Sequence, residues 1–150
     1  MAHTIPPGYL KTSSPILRTF EDNYRLLMKL FKPLFNGESE MVLDAGDKRA
    51  PVIIEVRERH KYMTILDLRL QLCESDNIPD IMIGIRLYFD ARVAEVISYQ
   101  GVDHIPARYQ IKLSRGDVRD EKMQVNLLLN EFLNHIIDKN YRPLDASTLS

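Results

Sequence analysis

Between Ile81 and Tyr99 the chain alternates apolar and polar residues on both sides of one short polar turn, and no other stretch restricts the fold as much. Ile81, Ile83, Ile85, Leu87 and Phe89 occupy every second position, against Met82, Gly84, Arg86 and Tyr88. A period of two belongs to a strand, whose successive side chains point to opposite faces. Asp90-Ala91 interrupts the pattern, and a second strand runs from Arg92 to about Tyr99. Strands joined by so short a turn pair antiparallel. A two- or four-residue loop sets Tyr88 opposite Val93, Leu87 opposite Ala94, Arg86 opposite Glu95 and Ile85 opposite Val96, so that charge meets charge and apolar meets apolar. Such a hairpin has one face to bury and one face to explain.

The same period begins near Glu38, where it replaces a period close to 3.6. Upstream, Ile16, Phe20, Tyr24, Leu27, Phe31 and Leu34 predict an amphipathic helix, opened by Ser13, Ser14 and Pro15 and interrupted at Pro33. Asn36-Gly37 supplies a left-handed stop. Three more strands are predicted at 40–45, 52–58 and 62–72. Val52, Ile54 and Val56 share a face with Leu66, Leu68, Leu70 and Leu72 only if Val56 stands opposite Leu66, which calls for an odd loop centred on Lys61. Residues 74–79 read as a loop, as do 101–117 apart from a short extended piece at 108–113. Asp117 caps a second helix whose buried stripe is Val125, Leu128, Leu129, Phe132 and Ile136, ending near Lys139-Asn140.

The expected architecture is α+β: an antiparallel β-meander of about five strands, with an N-terminal and a C-terminal helix packed on one face. No repeat or linker divides the chain. A single domain over 1–150 is therefore expected, with a loose arm at 1–12, a folded core at 13–140 and a loose tail at 141–150.

With 45% hydrophobic and 27% charged residues over 150 positions, the chain can build a core without disulfide staples. Cys73 is the single cysteine and reads as a structural thiol. No stretch reaches the ~18 apolar residues of a membrane span, and the opening residues lack the apolar run of a signal peptide. A cytoplasmic protein with no membrane contact is expected. The net charge of -1 lacks the footprint of a dedicated nucleic-acid binder.

Gly-rich phosphate loops, Gly-x-Ser-x-Gly elbows, His-x-x-x-His pairs and Cys-x-x-Cys knuckles are all missing from the sequence. His3, His60, His104 and His135 are widely spaced and read as loop or helix-surface residues. No catalytic residue, metal site or cofactor is assigned. What remains is the sheet face turned away from the helices, where the registers collect Glu55, Arg57, Asp67, Arg69, Arg86 and Glu95 with Ile53, Ile65, Tyr88 and Val93. Such a set is a solvated face with ion pairs worth at most ~1 kcal/mol each, a platform for a partner protein or a second copy, or a small-ligand site. Asp90 has an ordinary turn role beside a catalytic one, and Tyr88 is either a packed aromatic or a ligand contact. Arg115, Arg119 and Lys122 near the second helix's start favour a phosphate or carboxylate there, but Asp120 and Glu121 compete for the same amides.

Arg86-Leu87-Tyr88 with Asp90-Ala91 and Val93-Ala94-Glu95-Val96, then Ala107-Arg108-Tyr109, then Arg119-Asp120-Glu121-Lys122 with Gln124, Asn126 and Leu133, resembles the YqiB-like family of uncharacterised proteobacterial proteins. Glu21, Asn23, Leu27 and Leu30 in the first helix, and Glu58, Tyr62 and Thr64 in the earlier hairpin, extend the resemblance over most of 17–138. The family is a domain of unknown function and implies no activity. This sequence departs from the enterobacterial member at Phe89, where a histidine stands there, so the resemblance carries no histidine to the hairpin tip. What it does imply is a charged network joining hairpin to second helix. Its candidates are Arg86, Tyr88, Asp90, Glu95, Arg108, Tyr109, Arg119, Asp120, Lys122 and Asn126.

The expected function is a small binding or regulatory module that acts by protein contact through the open sheet face, on an unknown partner or as a homodimer. The alternative is a nucleotide or phosphate-ligand site, hydrolytic or not, with Arg86, Arg108, Arg119 and Lys122 supplying positive charge and Asp90 or Glu95 a base. Single-stranded nucleic-acid binding is disfavoured by the acidic balance and the few platform aromatics.

Overall fold

Proline at a first helical position gives up no hydrogen bond, and helix α1 (Pro15–Leu30) starts on one. The structure is a computed structural model that describes residues 15–44, 46, 51–70, 81–100 and 118–144, with side chains for all but 118–121. Pro33 interrupts the helix as expected, and the chain tightens into a 3-10 turn at Lys32–Asn36. That turn ends on Gly37 at φ 111°, a left-handed conformation that residues with a Cβ resist. Five strands follow: β1 (Glu40–Asp44), β2 (Val52–Arg59), β3 (Met63–Leu70), β4 (Ile81–Tyr88) and β5 (Val93–Gln100). Helix α2 (Val118–Asp138) and a two-residue strand β6 (Arg142–Pro143) complete the described elements.

All pairings are antiparallel, in the order β5-β4-β3-β2-β1-β6. The fold is α+β, with six strands in one sheet where about five were expected. The additional strand lies in the segment expected to be a loose tail. Asn140 at φ 56° turns the chain after α2, with Tyr141 N–H donating to Ile136 O (3.1 Å) and Asn140 N–H to Ile137 O (3.1 Å), a Schellman closure. The turn delivers Arg142 and Pro143 opposite Asp44 and Leu43, and Leu144 N–H bonds Val42 O at 2.8 Å. Proline lacks a donor and suits this edge position.

The β4–β5 register is the expected one: Tyr88↔Val93, Leu87↔Ala94, Arg86↔Glu95 and Ile85↔Val96. A four-residue turn at 89–92 closes it, with Arg92 N–H on Tyr88 O at 2.9 Å. Val56 also stands opposite Leu66, although the loop is not simply odd. An extra residue, Arg57, bulges from β2 before Glu58↔Ile65 and Arg59↔Thr64, and His60 N–H meets Met63 O across a tight turn. The bulge absorbs the residue that a two-residue turn would otherwise push out of register.

The apolar rows of both hairpins join the helices in one core built around Leu27, Phe31, Ile54, Leu66, Ile83, Ile85, Leu129 and Phe132. A buried side chain of this size contributes about 1.5–3 kcal/mol by leaving water. Helix α1 packs on α2 and on β5. The centre of its buried face includes polar Thr19 and Asn23, which the apolar stripe alone did not mark. No helix among the described residues is long and apolar enough to cross a membrane.

Candidate functional site

Outward-facing side chains of β2–β5 lie in rows set by the registers. One row runs Glu58, Ile65, Arg86, Glu95; the next runs Glu55, Asp67, Gly84, Ser98. Both helices share a core with the opposite face, so among the described elements none layers over this one. Most of its residues are half-buried or exposed, but Ile65, flanked by Glu58 and Arg86, is 4% exposed and forms an apolar floor.

Two bulges shape the centre. The first frees Arg57; the second inserts Ile97 between Val96, opposite Ile85, and Ser98, opposite Gly84. Arg57 spans to Asp67 in a two-pronged pair, with Nε donating to Oδ2 at 2.9 Å and Nη2 to Oδ1. The hydrogen bonds that Arg57 donates to Asp67 raise the pKa of its guanidinium, which stays charged. Gly84 lies beneath this pair. A Cβ there would collide with Ser98 Oγ and come within 2.9 Å of Arg57 Nη2. Glycine inside a strand often marks such a close approach. Alternation along β2 and β3 puts Arg57 and Asp67 on this face without showing that they converge; Gly84 is the one signal of it in the sequence.

The expected network assembles in part beside this centre. Arg86 Nη1 donates to Tyr88 Oη at 3.2 Å, and Tyr88 Oη donates to Glu95 Oε1 at 3.0 Å. Lys122 Nζ, from α2, reaches Glu95 Oε2 at 3.1 Å. The charge pair expected between Arg86 and Glu95 is thus relayed by a tyrosine hydroxyl while a lysine neutralises the acid. Tyr88 and the negative field of Glu95 and Glu58 raise the pKa of Arg86. The Nε of Arg86 is buried without a hydrogen-bond partner among the described residues. Glu95, 16% exposed, is held from two sides.

Asn126 has a different setting. It is fully buried, its Oδ1 accepts Val96 N–H at 2.9 Å, and its Nδ2 donates to Lys122 O at 2.8 Å. Asn23 Nδ2 bonds Asn126 O at 3.0 Å, and Asn130 Nδ2 bonds Asn23 Oδ1 at 2.9 Å and Asp22 Oδ2 at 2.7 Å. This amide seam ties α1, α2 and the free edge of β5 together. Asp90 sits exposed at the hairpin tip. Arg119 and Asp120 fall in the first turn of α2, where side chains are not described, and Arg108 and Tyr109 lie outside the described residues. Among the described residues, no group of His, Cys, Asp and Glu is placed to hold a metal ion.

The outer face therefore carries Glu40, Asp44, Glu55, Glu58, Asp67 and Glu95 against Arg57, Arg69, Arg86, Arg142 and the rim residue Lys122, six acids to five bases among the described residues. Such a face offers hydrogen bonds of both senses over an apolar floor. A model of a family described as "Protein of unknown function (DUF1249)" matches residues 26–142. The "Uncharacterized protein YqiB" of Escherichia coli strain K12 is 42% identical over 53 residues, covering 35% of this chain and 38% of that protein. The proteins of the same name in Escherichia coli O6:H1 strain CFT073 and O157:H7 match to the same extent, so the match spans under two-fifths of these curated relatives. No solved structure matches the chain.

Proposed function

We propose that this chain, which belongs to the DUF1249 family of proteins of unknown function, is a binding module that makes protein contact through the outer face of its sheet. One observation carries the reading: four charges at the centre of that face are already paired with one another, through Arg57–Asp67 and through Tyr88–Glu95–Lys122. Paired side chains are held in place before any partner arrives, which lowers the ordering cost of association. The pairings also occupy Arg57 and Lys122, two of the cationic donors that a phosphate site would need to converge on one ligand.

Arg86 favours a second reading. Its guanidinium bonds a neutral hydroxyl and has no carboxylate partner among the described residues, which suits a nucleotide or phosphorylated metabolite. A thermal-shift panel of nucleotides, phosphorylated metabolites and inorganic phosphate, run on the full chain and on Arg86→Ala, separates the two. Protein contact predicts that no compound stabilises the chain at millimolar concentration. Stabilisation that Arg86→Ala abolishes would replace it with the phosphate-ligand site.

A further inference from the structure

We propose that the partner of the outer face is a second copy of this chain, docked face to face about a twofold axis with Glu55 of each copy against Arg86 of the other. The inference rests on the protein-contact reading and names its partner. Charge balance selects the second copy: a face whose acids and bases nearly cancel, six to five among the described residues, gains little net attraction from a strongly acidic or strongly basic surface. A twofold contact lets one face supply both halves of each pair, since residue i meets j while j meets i.

Within one copy Arg57–Asp67 and Glu95–Lys122 are closed ion pairs. Glu55 is exposed, and neither it nor Arg86 has an ion-pair partner among the described residues. Glu55 lies on β2 opposite Asp67, and Arg86 lies on β4 opposite Ile65. The midpoint between them falls on β3, so a twofold axis there sets the two intercopy pairs on either side of the face centre.

The sheet edges point the same way. Asn126 takes the Val96 N–H on the β5 edge, and β6 with Leu144 covers the β1 edge at 42–44. Edge-to-edge strand addition is blocked at those points, which leaves the face. Four eight-residue strands spaced at ~4.8 Å with a rise of ~3.3 Å per residue present about 500 Å² in projection. Two such faces bury roughly 1,000 Å², at the low end for a specific interface, so the dimer is a reversible one.

Sedimentation equilibrium of the full chain from about 5 µM to about 1 mM tests this. The wild type is expected to dimerise with rising concentration, and Glu55→Arg and Arg86→Glu each to raise the dissociation constant at least ~tenfold. Mixing the two variants in equal amounts is expected to restore a dimer, because one pair then joins two reversed charges and the other stays native. A wild type monomeric throughout, a dimer indifferent to Glu55→Arg, or a mixture no more associated than its components would overturn the proposal. Should Arg86→Glu fail to fold, the exposed Glu55→Arg still decides, since it must weaken the dimer while Glu131→Arg on α2 leaves it unchanged. The ligand panel reports separately on protein contact, so a monomeric wild type removes the second copy without settling that reading.

Discussion

Gly84 is the residue on which the outer face turns, because Arg57 and Ser98 both occupy the space a side chain would take. Replacing a strand glycine by alanine normally gains ~0.5–1 kcal/mol of backbone entropy. Crowding a filled site costs ~1–3 kcal/mol, and here it should win. Gly84→Ala is expected to lower stability by about 1 kcal/mol in urea unfolding, with Ser98→Ala relieving more than half of that loss in the double variant. Strict additivity of the two changes would show that the hydroxyl is not the obstacle. Asp22 carries the described pH signal. Burial pushes its carboxyl up, but the Asn130 amide and Arg25 outweigh that and hold it below its ordinary value. Its contribution is therefore complete above the unfolded value near ~3.9 and vanishes as pH falls through the lower folded value. Asp22→Asn should flatten the acid limb of the stability curve below pH ~4, by under ~1 kcal/mol because the side chain is well exposed. An unchanged acid limb would contradict this.

At the scale of elements, α2 closes the sheet as well as filling the core. Its Asn126 gives the last long strand a hydrogen-bond partner where a neighbouring strand would otherwise be needed. Asn126→Ala would leave the Val96 N–H buried and unpaired, at a cost of ~2–3 kcal/mol, and should speed exchange of that amide. A loss under ~1 kcal/mol with unchanged exchange would mean that the cap is incidental. Nothing in the periodicity announced this role. Asn126 and Asn23 fall inside apolar stripes, where a polar residue reads as a boundary until its partner on another element is known. The β4–β5 hairpin was legible because alternation on both sides of a short turn admits few registers. The Arg57 bulge was not, because an odd loop and a bulge with a tight turn produce the same Val56↔Leu66 pairing. Two-residue β6 has no period to detect.

For the whole molecule, one-sided packing is the consequence that matters. The α+β class and the placement of the helices follow from two changes of period along the chain. The Arg86–Glu95 pairing was legible, since register fixes which side chains share a face, whereas the link to Lys122 on α2 was implied only by the family resemblance. Details of the network depended on distances: Tyr88 relays between Arg86 and Glu95, and the bulges aim Arg57 and Ser98 over Gly84. Differential capture from a cell extract tests the outer face as a contact surface most directly, using immobilised wild type, Ser98→Arg at the face centre and Glu131→Arg on α2. Proteins retained by the wild type and by Glu131→Arg, this chain's own copies among them, are expected to be lost from Ser98→Arg. Retention of the same proteins by Ser98→Arg, or their loss from Glu131→Arg alone, would place the contact surface elsewhere.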